Sequence, residues 1–276
     1  MDTSKLSPND NHLMDPIAYV GPPQQYDFMG ATQFRLLSTL GLRADHYLLD
    51  FGCGSLRAGR LFINYLNKDR YFGIEPNKWL IEDAIKNQLG EDLIAIKRPQ
   101  FDHNSDFKVD CFSKSFDFIV AQSIFSHTGS ELITTALANF SEVLKPNGLI
   151  LATFVEGVSN FKGNGWVYPG CVVYRPSQIR RFAKEAGYFV MHIPWYHPRQ
   201  TWYLLAKEKS RLPDNSMMRH LTGAVLFDEE LKKSCKHNQR NVKLLKSLGG
   251  HLKNHLRQSM PESVKKIIKK IIKYKH

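Results

Sequence analysis

Short apolar runs alternate along most of the chain with stretches of helical spacing. Tyr47-Leu48-Leu49 runs into Asp50-Phe51-Gly52-Cys53-Gly54. An apolar run without alternation predicts a strand buried on both faces, and two glycines spaced by one predict a tight turn at its end. Gly59, Phe62, Ile63 and Leu66 then fall at i, i+3, i+4 and i+7, so a helix follows. The same reading gives a strand at Tyr71–Ile74, a helix at Trp79–Leu89 and a third strand at Asp92–Arg98, where Leu93, Ile94 and Ile96 are apolar. Phe116–Ala121 is a fourth strand, residues 130–144 an amphipathic helix, and Lys145-Pro146-Asn147-Gly148 a turn into the strand Leu149–Phe154. Tyr26–Leu40 precedes all of these as a helix stopped by Gly41. A helix at 176–186, stopped by Gly187, and two strands at Tyr188–Ile193 and Gln200–Lys207 follow. Strands alternating with helices predict an α/β, doubly wound fold with a mostly parallel sheet.

Charge divides the chain more sharply than hydropathy does. Of the net +12, none belongs to residues 1–208, which hold 21 Lys+Arg and 21 Asp+Glu. All of it belongs to residues 209–276, with 17 against 5. The chain therefore reads as a loose segment at 1–25, a main domain at 26–208 and a basic helical extension at 209–276. In that extension 222–248 and 251–259 look helical, broken at Gly249-Gly250. Val264, Ile267, Ile268, Ile271 and Ile272 form one face of a last helix, with Lys265, Lys266, Lys269, Lys270 and Lys273 on the other. Residues 261–276 could lie on an anionic membrane surface, dock on a partner or pack on their own domain. Nucleic acid is a less favoured partner, because no recognisable binding motif accompanies the lysines. Four separated cysteines make no metal-ligand spacing and read as free thiols, so no metal is expected. The N-terminus lacks a charged-then-apolar leader and no run approaches ~18 apolar residues. A cytoplasmic protein is expected, with peripheral membrane contact through the tail as a further option.

The candidate chemistry gathers at the strand ends. Glycines between a strand and a helix present backbone N–H groups to a nucleotide-like ligand. Glu75, at the end of the second strand, stands about 25 residues after Asp50, near the ~20-residue spacing of a ribose-binding acid. A carboxylate there can accept from both ribose hydroxyls. Arg57 occupies the third position of the dinucleotide fingerprint, which wants glycine, so a nicotinamide or flavin nucleotide is disfavoured. The fourth strand ends in Gln122-Ser123-Ile124-Phe125-Ser126-His127, where His127 could take a proton near neutral pH. Residues 156–171 are too long and glycine-rich for an ordinary connector. They are a candidate substrate lid, with Glu156 at its root as a second possible base.

Asp-x-Gly-x-Gly between strand and helix, followed by a strand-end acid, resembles motifs I and II of the class I S-adenosylmethionine-dependent methyltransferases. Lys-Pro-Asn-Gly before an apolar strand is similar to the fifth-strand motif of the same family. The resemblance covers roughly residues 30–208 and implies a seven-stranded sheet with a terminal antiparallel hairpin. It implies S-adenosyl-L-methionine as cofactor, held by Asp50, Gly52, Gly54, Glu75 and Gln122, with Asp106 and Phe107 on the adenine. His127 and Glu156 are then the candidate catalytic residues, and Tyr26, Phe28, Gln33 and Phe34 could cover the cofactor. No Asn-Pro-Pro-aromatic or Asp-Pro-Pro-aromatic motif follows Val120, which disfavours amino-methylation of adenine or glutamine. The expected reaction is methyl transfer to an oxygen or nitrogen of a small-molecule or saccharide acceptor. An RNA or protein methyltransferase guided by the basic tail, and a non-catalytic cofactor-binding module, are the alternatives.

Overall fold

The computed structural model describes residues 15–224. The readings of residues 1–14, most of the helical reading at 222–248, that at 251–259 and the basic amphipathic run at 264–273 lie outside the described residues. The first element is α1 (Pro16–Tyr19), one turn capped by the Asp15 carboxylate, which accepts from the Ile17 N–H at 2.9 Å. Residues 15–25, read from sequence as part of a loose segment, thus form a defined turn of helix ahead of α2 (Tyr26–Thr39).

The alternation of strands and helices then runs as the apolar pattern predicts, with one correction. β1 (Leu48–Phe51), α3 (Gly59–Tyr65), β2 (Tyr71–Ile74) and α4 (Lys78–Ala84) follow in order. Residues 92–98 are not the third strand. Residues 92–97 belong to α5 (Glu91–Lys97), which Arg98 caps, and the strand is β3 (Gln100–Asp102). A short apolar run does not distinguish strand from helix by periodicity. Here Glu91 and Asp92 sit in the first turn and Lys97 in the last, which suits the helix dipole. Ile96 is 63% exposed, which a strand buried on both faces would not allow.

β4 (Phe116–Ala121), α6 (Ser130–Val143) and β5 (Leu144–Phe154) come next. Leu144 pairs with Phe116 and Leu149 with Phe118, so the Lys145–Gly148 turn is accommodated as an irregularity within β5. α7 (Pro176–Glu185), β6 (Phe189–Ile193), β7 (Thr201–Ala206) and α8 (Asn215–Ala224) complete the described chain. The sheet order is β3-β2-β1-β4-β5-β7-β6, parallel except for β7, which runs antiparallel to both β5 and β6.

Alternate residues of each strand serve opposite cores, because successive side chains leave a strand on opposite faces. Leu49, Phe51, Phe72 and Ile119 pack with Ile133, Leu137 and Phe140 of α6 and Phe182 of α7. Leu48, Phe118, Val120, Leu151 and Trp202 pack with Leu36 and Leu37 of α2 and Phe62 of α3. Leu221 of α8 joins that second core and is fully buried. Among the described residues no helix is long and apolar enough to cross a membrane.

Candidate functional site

β1 connects outward to β2 on one side and has β4 on the other, so the strand order reverses there. Ligands in open α/β sheets bind beyond the carboxyl ends of the strands at such a point. A cavity of about 760 Å³ opens there, within the range of small-molecule sites.

One wall is made by the ends of β1 and β2. Asp50 is buried and accepts from the Tyr71 hydroxyl at 2.8 Å. Burial raises its pKa to about 6, while Tyr71 and the Arg57 charge act in the opposite sense. Gly52 and Gly54 have φ of +76° and +55°. A Cβ on Gly52 would lie 2.0 Å from Ile124 Cδ1, and one on Gly54 would lie 2.7 Å from Val20 Cγ1. The turn therefore needs glycines both for its backbone and because neighbouring side chains fill the space. Glu75 is buried. One of its oxygens accepts from the Asn77 N–H (2.9 Å) and Nδ2 (2.7 Å), the other from the Gly54 N–H at 3.1 Å. Burial raises its pKa and these bonds partly offset that.

The end of β4 supplies a second group. Gln122 is buried against the cavity, and neither its Oε1 nor its Nε2 has a protein partner. His127 also lines the cavity. Its Nδ1 lies 2.6 Å from the Gly170 carbonyl oxygen, which can only accept, so the proton sits on Nδ1 and Nε2 keeps its lone pair. Burial lowers the His127 pKa, with the Arg199 charge adding to the effect and the Gly170 bond opposing it. Phe107 lines the cavity with φ of +65°, beside Asn104 and Ser105.

The opposite wall consists of loops. Tyr19 and Val20, at the end of α1, meet residues 166–171 across the opening. The Tyr168 hydroxyl donates to the Tyr19 carbonyl at 2.7 Å, and the two rings are 5.3 Å apart. Trp166 stacks on Tyr168 at 6.3 Å, and both rings are near His127. The loop is tied to the segment after β4 by Val167 N–H to His127 O (2.9 Å) and Val172 N–H to Ser126 O (2.8 Å). Arg57 donates through one terminal nitrogen to Val20 O at 2.9 Å, and its buried Nε has no partner.

Of the nine residues singled out from the sequence, Asp50, Gly52, Gly54, Glu75, Phe107, Gln122 and His127 meet in this cavity. Asp106 and Glu156 do not line it. Asp106 is exposed and pairs with Lys108 at 2.9 Å, which lowers its pKa. Glu156 is exposed at the end of β5 and accepts from the Tyr203 hydroxyl at 2.5 Å. Of the four α2 residues read as a possible cofactor cover, only Gln33 lines the cavity. Phe34 packs on Phe62 and Tyr65, Phe28 on Tyr196, and the Tyr26 hydroxyl donates to Ser55 O. Sequence reasoning missed Tyr19, Asn77, Arg199 and Gln200. Only Asn77, two residues past a strand-end acid, had a signal that could have found it.

Residues 49–150 match a family model described as a methyltransferase domain. Three solved structures share the architecture. The glycopeptide N-methyltransferase MtfA complexed with S-adenosyl-L-methionine is 12% identical, with a TM-score of 0.51 over 65% of this chain and 94% of that one. Magnesium protoporphyrin IX methyltransferase from Synechocystis PCC 6803 is 12% identical, with a TM-score of 0.51 over 72% and 92%. A methyltransferase from Clostridium acetobutylicum ATCC 824 is 13% identical, with a TM-score of 0.52 over 72% and 97%. At these identities the likeness is one of fold.

Proposed function

Because this chain carries a class I S-adenosylmethionine-dependent methyltransferase domain, we propose that it transfers a methyl group to an oxygen or nitrogen of a small-molecule or saccharide acceptor, in the cavity between the ends of β1 and β4. One observation carries the reading. Seven residues chosen for cofactor or catalytic roles, spread from 50 to 127 in the chain, line one cavity at the switch point.

The residues suit the cofactor. Gln122 presents a buried amide with no protein partner, a state that costs free energy unless a ligand completes it. In this reading Glu75 takes one ribose hydroxyl on Oε2, where Asn77 and Gly54 leave one acceptor site. Phe107 covers the adenine, with Asn104 and Ser105 beside it. Asp50 faces the positively charged methionine end, and Arg57 its carboxylate. When bound, the cofactor supplies an electrophilic methyl group on a sulfonium.

What remains for the protein is orientation, exclusion of water and proton handling. The loop wall from Trp166 to Cys171 closes the cavity above His127. His127 is neutral at pH 7, with its acceptor nitrogen free, so an acceptor hydroxyl can lose its proton to Nε2 as the oxygen attacks. Asp106 and Glu156 have no part in this scheme. Calorimetric titration of S-adenosylmethionine and its demethylated product tests the reading. Wild type should bind both, and Glu75→Ala should weaken binding roughly 10–100-fold, as expected for a lost charged hydrogen bond. A folded wild type that binds neither compound would sink it.

A further inference from the structure

The link between β6 and β7 is a second recognition element in the same cavity. His197 is half-buried beside Trp202, with ring centroids 6.4 Å apart. Its Nδ1 accepts from two successive backbone groups, the Arg199 N–H at 3.2 Å and the Gln200 N–H at 3.0 Å. A ring that accepts twice must be neutral at that nitrogen. Burial, with the nearby Arg57 and Arg199 charges, lowers the His197 pKa to about 3, so it stays neutral throughout the working range. The turn is therefore fixed by a neutral ring acceptor, and both residues it fixes line the cavity.

Their side chains are not spent on the protein. Gln200 donates through Nε2 to Ser123 Oγ at 3.0 Å, which leaves its buried Oε1 without a partner. Arg199 has no hydrogen bond or ion pair from its guanidinium to any described residue. The cavity's two carboxylates are already engaged, Asp50 by Tyr71 and Glu75 by Asn77 and Gly54. Arg57 faces the Asp50 charge from within the cavity, whereas Arg199 is exposed at its edge with no ion-pair partner among the described residues, on the same cavity lining as His127, Trp166 and Tyr168.

We propose that the 197–200 turn selects the methyl acceptor: Arg199 receives a carboxylate or phosphate of that molecule, and Gln200 Oε1 receives a hydroxyl or amino proton beside it. The acceptor is then an anion with a ring that stacks on Trp166 and Tyr168, rather than a neutral sugar. This rests on the methyltransferase reading, since it assigns the acceptor half of that cavity.

The test separates the two. Full-length protein is first titrated with S-adenosylhomocysteine, then, once saturated, with benzoate, benzamide and inorganic phosphate, following tryptophan fluorescence. Wild type should bind benzoate at least tenfold more tightly than benzamide. Arg199→Gln should abolish that preference, and Arg199→Lys should restore part of it, with S-adenosylhomocysteine affinity unchanged in both. Phosphate binding that depends on Arg199 and exceeds that of benzoate would assign a phosphorylated rather than a carboxylated acceptor. No anion binding, a preference that survives Arg199→Gln, or a loss of S-adenosylhomocysteine affinity in Arg199→Gln would overturn the proposal. Failure of the first titration in wild type strikes the cofactor reading instead, and the anion titration of the same protein still reports on Arg199.

Discussion

The two walls of the cavity are built by different means. The wall at the ends of β1 and β2 is backbone and short side chains held by the sheet: two glycines at positive φ, and two buried carboxylates each tied to protein donors. The wall from Tyr19, residues 166–171 and the 197–200 turn is long side chains on loops: ring contacts and a single hydrogen bond join Tyr19 to Tyr168, and the His197 ring holds its own turn. The first wall holds its shape whether or not a ligand is present. The second presents the side-chain surface against which an acceptor would sit. Damage to the first should therefore cost stability and cofactor affinity together, and damage to the second should spare stability.

The largest effect should come from Gly52→Ala. A side chain at φ +76° costs about 1–3 kcal/mol in backbone strain. Its Cβ, built 2.0 Å from Ile124 Cδ1, adds a similar amount for overpacking. Urea denaturation should show a lower midpoint, and titration should show cofactor binding lost. A variant with wild-type stability and affinity would mean that the first wall is as pliable as the second.

His127→Gln lies on the boundary between the walls. It should lower kcat by roughly 10²–10⁴ for an oxygen acceptor while leaving cofactor affinity within a few-fold of wild type. Because burial depresses the His127 pKa, the neutral base is present at pH 7. The wild-type rate should fall only on the acid side, with an apparent pKa below the ordinary histidine value. A pH profile that keeps its acid limb in the variant would remove His127 from the chemistry.

Asp50 gives a smaller effect with opposite signs in two measurements. Its pKa is raised in the folded protein, to about 6, so its contribution to stability is full below the ordinary carboxylate range and is lost as pH rises through about 6. Cofactor binding should run the other way. The cationic methionine end favours ionised Asp50, so affinity is full above about pH 6 and falls below it. Asp50→Asn should flatten both slopes, measured by denaturation and by titration from pH 5 to 8. If only the stability slope flattens, Asp50 is a structural acid and does not meet the cofactor.

The difference between the walls also explains what could be read from sequence. Asp50, Gly52, Gly54 and Glu75 are legible because strand, tight turn and strand end each impose a residue type at fixed spacing, and the sheet then brings them together. Alternation alone gives the doubly wound class; the seven strands and the terminal antiparallel hairpin are what the family resemblance implies. Asp92–Arg98 is ambiguous because Leu93, Ile94 and Ile96 suit a half-exposed helix as well as a strand; the acidic first turn and basic last turn favour the helix that the structure shows. Asp106 has the chemistry of an adenine ligand, but Lys108, two residues on, takes its carboxylate at the surface. Glu156 is at the predicted strand end, yet the antiparallel arrival of β7 places the Tyr203 hydroxyl beside it. Arg199 and Gln200 carry no periodic signal at all. Their placement depends on His197, which looks like any loop histidine until its ring is seen accepting two backbone N–H groups.

The finest distinction concerns how the loop wall is closed. Tyr168 spans it, its hydroxyl on the Tyr19 carbonyl and its ring against Tyr19, Trp166 and His127. Tyr168→Phe removes the hydrogen bond and keeps the ring. The freed carbonyl is near solvent and can take a water, so the loss is about 0.5–1.5 kcal/mol. That should appear as a roughly 2–10-fold faster release of S-adenosylhomocysteine in stopped-flow fluorescence, with the denaturation midpoint lowered by no more than that loss accounts for. Tyr168→Ala also removes the ring contacts, worth about 0.5–1.5 kcal/mol for an aromatic pair, and should release faster still. Release rates equal to wild type in both variants would mean that the ligand leaves by another path. A fall in stability beyond that loss in Tyr168→Phe would mean instead that this wall is part of the scaffold, and the contrast between the walls would fail at the point where they meet.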